Sequence, residues 1–466
     1  MGGAANLMAR LTQWEGYGVG ADGYLLLSGG DLWTGPAIST WFDGESTTDV
    51  LNAMGYTAAA IGNHEFDFGR EALLERIAQA EFSLLSANIH DRDSGELADF
   101  ATPYLITTVS GVAVGVIGLT TTSTPWTADP RLVDDLEFME YEGALRRWVP
   151  EIRDQGAEII VVVAHECLDS LAELATAVAD LEIAVMGGGH CQYVDSRANE
   201  FGTVIFSAGW GMNAYGRVDL ELDPISHQVL GSSLRLTYNA YLTADGNPLT
   251  PDPEVAAIVD YWQQRTEAEL GEVIGYTASG LAWRSWAMGN WILDSWLWAF
   301  PADIALCNWG GFRADLEVGE IDLADLVDML PFDNEIVAVE ITGAELVANL
   351  ECAGTAVAGL SYVYHWADGR RVVDAAFLAD GRRLDEESTY RVLITDFMYV
   401  GGGQYLFATQ NPVAEETGAN FRQPAIDWTR AQGSDLDHPL EDLIDHRARA
   451  FKRPTPRRSS GRRVAP

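Results

Sequence analysis

The chain has 466 residues, with 69 acidic residues against 29 basic ones and a formal net charge of −40 at pH 7. A hydrophobic content of 47% excludes a generally disordered protein, and a surface this acidic repels nucleic acid, so no nucleic-acid partner is expected. No unbroken apolar segment of about 18 residues occurs, so no integral membrane segment is predicted.

Two apolar runs near the N-terminus each end in glycine and a polar side chain. Residues 24–27 lead into the motif GGD, which ends at Asp31, and residues 58–61 lead into GNHE, which contains Asn63 and His64. A buried parallel strand delivers metal ligands at its carboxyl end in this way. Each run is therefore predicted to be a strand with functional side chains at its end.

The same pattern returns twice further along the chain. Residues 159–164 end at His165, and residues 183–186 lead into GGGHCQ, which contains His190 and Gln192. A lone histidine after an apolar strand is more often a hydrogen-bonded structural residue, but the order of these motifs favours a metal site at one rim of a sheet. The mixed oxygen and imidazole set suits Mn, Zn, Mg or Fe better than soft, thiolate-loving cations.

The pattern between these motifs predicts a layered α/β sandwich. Helical periodicity covers residues 69–80 and 141–155, and strand alternation covers residues 217–222 and 233–236, which are expected in a second sheet. After a turn-rich break, residues 254–270 have the pattern of one amphipathic helix that links two domains. Two roles are left open for this helix, that of a hinge between the domains and that of a static spacer.

A second group of motifs lies beyond the linking helix. NWGGFRAD contains Asn308 and Arg313, PFDN contains Phe332, and Phe397 precedes GGGQY. Flat aromatic rings stack on nucleobases at about 1 to 3 kcal/mol each, and a guanidinium binds phosphate as a two-pronged donor. Core packing is the alternative role for each phenylalanine, but the spacing to Arg313 and to the glycine run favours a ligand.

In their order and spacing, these motifs resemble the 5′-nucleotidase family of calcineurin-like dinuclear metallophosphatases over nearly the whole of residues 1–440. The resemblance implies an α/β (α+β) fold, in which a four-layer αββα metallophosphatase sandwich is followed by a C-terminal α/β nucleotide-binding domain. It also implies two divalent metal ions as cofactors and a small-molecule nucleotide or phosphate ester as the substrate, hydrolysed by metal-bound hydroxide.

Carried over position by position, the resemblance gives each motif residue a role. The expected metal ligands are Asp31, which bridges the two ions, and Asn63, His165, His190 and Gln192. His64 is the expected catalytic histidine, polarised by Asp67, and it stabilises charge on the phosphoryl oxygens or assists the leaving oxygen. The expected substrate-binding residues are Asn308, Gly311, Arg313, Phe332 and Phe397.

The chain departs from the family's pattern in three places. The family's first motif, Asp-x-His at the end of the first strand, has no counterpart, so the chain is expected to be N-terminally incomplete. Gly403-Gln404 stands where many members carry Asp-Gly, and the register of Arg284 against a family arginine is uncertain. A 2′,3′-cyclic nucleotide, a nucleotide sugar or a thiosulfate ester is therefore an alternative substrate. A truncated nucleotide- or metal-binding protein without turnover is a second alternative.

The motifs and the composition divide the chain into segments. They are a metallophosphatase domain without its first strand over residues 1–244, a linker with a bridging helix over 245–272, a 5′-nucleotidase substrate-binding domain over 273–446 and a basic disordered tail over 447–466. An acidic chain whose one lysine is Lys452 is typical of a halophile, because salt screens its self-repulsion. Family analogy favours an exported or cell-surface protein, but a cytoplasmic one stays open because no signal peptide is visible. The oligomeric state is open.

The cysteines Cys167, Cys191, Cys307 and Cys352 are scattered along the chain. They form no CxxC pair and no short loop, so no disulfide framework is expected. Cys167 and Cys191 closely follow two of the expected histidine ligands. Packing as small buried residues is their favoured role, and modulation of a metal site is the alternative.

Overall fold

The structure is a computed structural model that describes residues 3–243, 245–352 and 354–453. These residues form two units, which divide between Glu269 and Leu270, inside the segment 245–272 that was expected to link two domains. Each unit has its own sheets and its own core. None of the helices in the described parts of the chain combines the length and the hydropathy of a membrane span.

Strands and helices alternate through most of the first unit. Its strands are β1 (Leu27–Ser28), β2 (Ala58–Ala60), β3 (Ser83–Leu85), β4 (Ile89–Asp91), β5 (Tyr104–Val109), β6 (Val112–Leu119), β7 (Leu136–Phe138), β8 (Ile159–Ala164), β9 (Val185–Gly188), β10 (Val194–Arg197), β11 (Val204–Ala208), β12 (Tyr215–Leu222) and β13 (Val229–Thr237). Its helices are α1 (Ala4–Trp14), α2 (Ala37–Thr40), α3 (Glu45–Met54), α4 (Gly69–Gln79), α5 (Thr124–Thr127), α6 (Tyr141–Asp154), α7 (Leu168–Ala177) and α8 (Pro253–Leu270).

Two sheets stack face to face in this unit. The larger has the order β10-β11-β9-β8-β6-β5, and the smaller has the parallel order β1-β2-β3. Along β8, Ile160 and Val162 pack against α6 and α7, while Val161 and Val163 pack against β2 and β3. On the far side of the smaller sheet, Ala59 belongs to the core beneath α3 and α4. The layers therefore run helix, sheet, sheet, helix, which is the predicted αββα sandwich.

Most of the predicted elements lie close to the observed ones. The helices α4, α6 and α8 begin and end within about one residue of their predicted bounds, which is the usual uncertainty of helix ends. The strands β12 and β13 are longer than predicted and form a hairpin of their own instead of joining the smaller sheet. The apolar run 24–27 contributes only its last residue to β1, because this edge strand pairs on one side alone, with β2.

The second unit is also built from alternating elements. Its strands are β14 (Val273–Thr277), β15 (Ile304–Asn308), β16 (Gly319–Asp322), β17 (Glu335–Thr342), β18 (Thr355–Ala358), β19 (Leu360–Ala367), β20 (Arg370–Leu378), β21 (Thr389–Thr395), β22 (Glu415–Asn420) and β23 (Ala450–Lys452). Its helices are α9 (Trp286–Ala299), α10 (Leu323–Met329), α11 (Gly343–Cys352), α12 (Asp396–Tyr399), α13 (Phe407–Gln410), α14 (Gln423–Gln432) and α15 (Leu440–Leu443).

A central sheet of order β18-β15-β21-β17-β22 organises the second unit. The helices α9 and α14 cover one face, and α11 with the hairpin β19–β20 covers the other. On α9, the buried indoles of Trp291 and Trp296 donate to Thr429 Oγ1 at 3.0 Å and to the Phe421 carbonyl at 2.9 Å. Because a buried indole N–H needs an acceptor, these bonds fix α9 against α14 and against the residue that follows β22.

The prediction of a disordered tail from residue 447 is wrong for residues 447–453. The guanidinium of Arg449 forms a two-pronged ion pair with Asp294 at 2.7 and 2.8 Å. The backbone carbonyl of Arg449 accepts a hydrogen bond from the Tyr362 N–H. The strand β23 then pairs in parallel with β19. The charges that suggested a solvated tail are therefore partly neutralised by acidic residues of the same unit. The remainder of the predicted tail, 454–466, lies outside the described residues.

Candidate active site

Asp31 and Asn63 lie on loops that leave the same edge of the smaller sheet. Asp31 follows β1 and Asn63 follows β2, and these strands are parallel neighbours. Asp31 has a left-handed backbone, with φ of 57°, which an aspartate adopts only at some cost in energy. Gly62 must be a glycine here, because a Cβ at this position would clash with the Asp31 carboxylate.

Glu65 ties these two loops together. Its buried carboxylate accepts hydrogen bonds from the backbone N–H groups of Asp31 at 2.9 Å, of Leu32 at 2.5 Å and of Gly62 at 2.5 Å. Burial, followed by the negative charge of Asp31, raises the pKa of Glu65 to about 7. These bonds hold Asp31 in its strained conformation and so fix the position of its side chain.

His165 and His190 come from the larger sheet. They follow the parallel neighbours β8 and β9, and His190, like Asp31, has a left-handed backbone with φ of 58°. The Nδ1–H of His165 donates to the Gly29 carbonyl at 2.7 Å, which leaves Nε2 of the neutral ring as a lone-pair donor. The carboxyl ends of strands from both sheets thus meet around one ring nitrogen.

The atoms around His165 Nε2 form a set of ligands suited to a cation. Asp31 Oδ2, Asn63 Oδ1 and His190 Nδ1 lie 3.0, 3.1 and 3.1 Å from it. With His165 neutral, Nε2 has no proton to share, and lone pairs this close repel one another unless a cation lies between them. Burial opposes a positive charge on His165, but the Asp31 carboxylate outweighs it and raises the pKa of the ring, so this position favours a positive charge, which a proton or a metal ion can supply. The donor set therefore fits a divalent cation.

His64 lies beside these ligands and is held by an acidic partner. Its backbone N–H donates to Asp31 Oδ1 at 3.0 Å. In the side chain, Nδ1–H donates to Asp67 Oδ2 at 2.7 Å, and the same oxygen accepts from Thr34 Oγ1 at 2.7 Å. This places a proton on Nδ1 and fixes the plane of the ring.

The prediction that the cysteines form no disulfide is wrong. Cys167 and Cys191 are bonded, with a Cα–Cα distance of 5.1 Å across a sequence separation of 24 residues. They follow β8 and β9 at the same sheet edge, so the pairing of neighbouring strands brings together residues that their spacing keeps apart. Cys307 and Cys352 are free thiols, the first buried and the second exposed. Gln192, the next residue after Cys191, is exposed, and its role as a ligand stays a prediction.

The expected substrate-binding residues of the second unit lie at one edge of its central sheet. Asn308 ends β15, and Phe397 lies in α12, two residues after the end of the parallel neighbour β21. Phe332 precedes β17, which runs antiparallel to β21. The guanidinium carbon of Arg313 lies 5.0 Å from the centre of the Phe332 ring. Phe397 packs on Gly402, where a Cβ would clash with the ring. Gly311 is buried in the turn after β15.

One buried atom at this edge has no partner within the described chain. It is Oδ1 of Asn308, although its own residue is only half-buried. A buried acceptor without a bond costs free energy, so such an atom indicates a position for a donor from a ligand. Partial desolvation and the like charge of Arg313 lower the pKa of Arg284. Two guanidinium groups that repel each other are stabilised by an anion.

Sequence reasoning missed four features of these sites. No sequence pattern marks Thr34 as a hydrogen-bond partner of Asp67. None predicts that Glu65 accepts from backbone N–H groups, although Glu65 belongs to the GNHE motif. The disulfide could have been found only by pairing the two strands that precede its cysteines. For Arg284 the register was uncertain, and its electrostatic coupling to Arg313 is visible only in the structure.

Several known proteins are similar to this chain in sequence or in fold. The family model of the 5′-nucleotidase C-terminal domain matches residues 268–410. The chain is 27% identical to endonuclease YhcR of Bacillus subtilis (strain 168), over 90% of the chain but only 36% of YhcR. It is 28% identical to the protein UshA of Yersinia enterocolitica, over 82% of the chain and 78% of UshA. A 5′-nucleotidase precursor from Thermus thermophilus has the same fold, with a TM-score of 0.83 at 24% identity, over 97% of this chain and 94% of that one. These similarities of sequence and fold support the 5′-nucleotidase family of metallophosphatases as the family of this chain.

Proposed function

We propose that this protein is a metal-dependent phosphoesterase that hydrolyses nucleotides as a 5′-nucleotidase does. The observation that carries the proposal is the convergence of Asp31, Asn63 and His190 on His165 Nε2, at 3.0 to 3.1 Å. His64 lies next to this set, bonded through its backbone to Asp31. A ligand set for a cation beside a buried acid–base group is what metal-assisted hydrolysis of a phosphate ester requires.

Two divalent cations form part of the proposal. Asp31, Asn63, His165 and His190 would hold one of them, and Asp31 together with Gln192 would contribute to holding the second. Bound cations supply Lewis acidity, which activates water for attack and offsets the charge of the phosphate. Oxygen and imidazole donors favour Mn, Zn, Mg or Fe for both positions.

His64 acts on the reacting phosphate. Its bond to Asp67 stabilises the protonated imidazole and keeps Nδ1 occupied, so the proton that can be given to substrate is the one on Nε2. That N–H donates to a phosphoryl oxygen as charge develops there, or transfers its proton to the leaving oxygen. The side chain of His64 is only 8% exposed, so water competes weakly for this bond.

Substrate recognition is assigned to the second unit. Phe332 and Phe397 stack on the nucleobase, and the unpartnered Oδ1 of Asn308 accepts a hydrogen bond from it. Arg313 and Arg284 bind phosphate, since an anion offsets the repulsion between their positive charges.

The test is phosphate release from nucleoside 5′-monophosphates by the purified chain in high salt with Mn²⁺. We expect hydrolysis by the wild type and its loss in His64→Ala. The matched control is His438→Ala, which removes a histidine whose side chain is 73% exposed. A protein that binds Mn²⁺ and nucleotide but releases no phosphate would favour the alternative of a binding protein without turnover.

A different ester is a second candidate substrate because of Gln404. This exposed residue stands in the loop against which Phe397 packs, where many family members carry an acidic residue and a glycine. The same assay therefore includes 2′,3′-cyclic nucleotides, nucleotide sugars and a thiosulfate ester. Preference for one of these over every 5′-monophosphate would favour the second candidate.

We also propose that the protein works at high ionic strength. The composition supports this, because the chain has 69 acidic residues and only 29 basic ones. In such a medium the repulsion between its carboxylates is screened within about 3 Å at 1 M salt. The assay is accordingly run in high salt.

A further inference from the structure

A covalent bond joins the two loops that carry the histidine ligands. Cys167 lies two residues after His165, and Cys191 directly follows His190, so the disulfide connects positions adjacent to both ligands. The two rings meet edge to face, with their centres 4.9 Å apart and His190 Nδ1 3.1 Å from His165 Nε2. The bond therefore restrains the pair of side chains that a cation must approach together.

The loop of His190 needs such a restraint more than that of His165. His190 has a left-handed backbone, which a residue other than glycine keeps only when its surroundings enforce it. The chain then makes tight turns, in which the Cys191 N–H donates to the Gly189 carbonyl and the Tyr193 N–H to the Cys191 carbonyl. Tyr193 is 67% exposed, so burial does little to hold this segment. By contrast, the His165 ring is almost fully buried and is bonded to the smaller sheet through Gly29.

We propose that the Cys167–Cys191 disulfide is a positioning element of the metal site, which holds His190 in its strained conformation against His165 before a cation binds. The proposal rests on the proposed function, because it presupposes the metal centre. A preassembled set of ligands binds more tightly than one that must be ordered during binding, since the loss of conformational freedom occurs on folding. Opening the disulfide should therefore weaken metal binding while the rest of the unit stays folded.

The bond is accessible to a reductant, because both cysteines are only half-buried. A trialkylphosphine and one water molecule cleave it, giving two thiols and the phosphine oxide, so electrons and protons balance. Removal of two hydrogens by a thiol–disulfide oxidant forms the bond again. Mn²⁺ is the suitable probe, because it prefers oxygen and imidazole ligands and the new thiols do not replace them.

The experiment measures the dissociation constant of Mn²⁺ from the signal of free Mn²⁺ in electron paramagnetic resonance. The samples are the oxidised chain, the phosphine-reduced chain, the reoxidised chain and the double variant Cys167→Ser/Cys191→Ser. We expect the dissociation constant to rise about 10- to 100-fold on reduction and in the double variant, and to recover on reoxidation. The double variant should not respond to the phosphine. The matched control, Cys352→Ser, removes an exposed free thiol and should retain both the affinity and the redox response.

The outcomes separate positioning from simple stabilisation. Thermal melting of each sample identifies a temperature at which all of them are folded, and binding is measured there. Equal dissociation constants in the oxidised and reduced chains would overturn the proposal and leave the proposed function untouched, even if the melting temperature falls. Absence of Mn²⁺ binding in every sample would overturn both. Should the double variant fail to fold, reduction and reoxidation of the wild type, checked by thiol titration, make the same comparison.

Discussion

Asp67 Oδ2 lies 2.7 Å from His64 Nδ1, and this single carboxylate oxygen also accepts the hydroxyl of Thr34 at 2.7 Å. The side chains of His64 and Asp67 are 8% and 9% exposed, so water competes weakly for either bond. This carboxylate oxygen therefore fixes the orientation and the tautomer of the ring. Thr34 in turn fixes that atom, since its hydroxyl uses a second lone pair of the same oxygen.

Replacement of Asp67 by asparagine should lower kcat by at least about 10²-fold with little change in KM, because the charge that stabilises protonated His64 matters most in the transition state. The Thr34→Val variant should lose part of this rate and Thr34→Ser should recover it, since serine keeps the hydroxyl. Steady-state kinetics on the best nucleotide, with His438→Ala as control, provide the measurement. Equal rates for the valine and serine variants would contradict the role of the hydroxyl.

The positions of the polar side chains at the strand ends could be predicted, but the contacts that join them could not. Asp31, Asn63, His165 and His190 each follow an apolar run, and the strand pattern alone indicates that such side chains share a sheet edge. The bonds from Glu65 to the backbone of the GGD loop depend instead on how two loops approach in space. Short-range periodicity contains no information on that approach.

The same limit explains the disulfide and the C-terminal segment. Cys167 and Cys191 are 24 residues apart in sequence, and only the parallel pairing of β8 and β9 brings them together. Local charge indicated a solvated tail from residue 447, whereas the ion pair of Arg449 with Asp294 crosses 155 residues of sequence. Local composition predicts only how a segment behaves in isolation. The disulfide and the ion pair both depend on partners that are distant in sequence.

Loss of one of the proposed stacking rings should impair nucleotide binding selectively. We expect Phe332→Ala to raise KM for a nucleoside monophosphate about 5- to 100-fold, which corresponds to about 1 to 3 kcal/mol of stacking. The rate on p-nitrophenyl phosphate, an ester without a nucleobase, should change far less. The matched control is Phe451→Ala on β23, where the side chain is 49% exposed. A similar loss on both substrates would instead assign Phe332 to the core of the unit.

Salt should stabilise the fold. The screening length falls from about 30 Å at 0.01 M to about 3 Å at 1 M, so repulsion within a chain of net charge −40 weakens steeply over this range. We expect the urea midpoint to rise with KCl while the m-value stays constant, which marks a change in stability without a change in exposed surface. The control is the urea midpoint in sucrose at equal osmolality, which measures the stabilisation that any solute excluded from the protein surface produces. A midpoint that is unaffected by KCl would contradict the proposal of a high-salt protein.

The carboxylate of Glu441 should make the second unit sensitive to acid. It accepts hydrogen bonds from Thr277 Oγ1 at 2.9 Å and from Ser279 Oγ at 2.6 Å. Partial burial opposes its ionisation, but these bonds outweigh burial and lower the pKa of Glu441 from 4.5 to about 2. Because the folded pKa is the lower one, the stabilisation is fully present above pH 4.5 and is lost as pH falls through about 2.

At pH 7, Glu441→Gln should therefore reduce the free energy of unfolding by about 1 to 2 kcal/mol, which is less than the usual value for hydrogen bonds to a charged group because solvent screens this partly exposed carboxylate. The gap between variant and wild type should narrow as pH is lowered from 4.5 towards 2, because wild-type Glu441 is then protonated as well. Urea unfolding at a series of pH values measures this difference in the free energy of unfolding. The control is Glu317→Gln, a change at an exposed carboxylate. A gap that stays constant down to about pH 2 would mean that the carboxyl group's shape, and not its charge, holds the segment around Ser279.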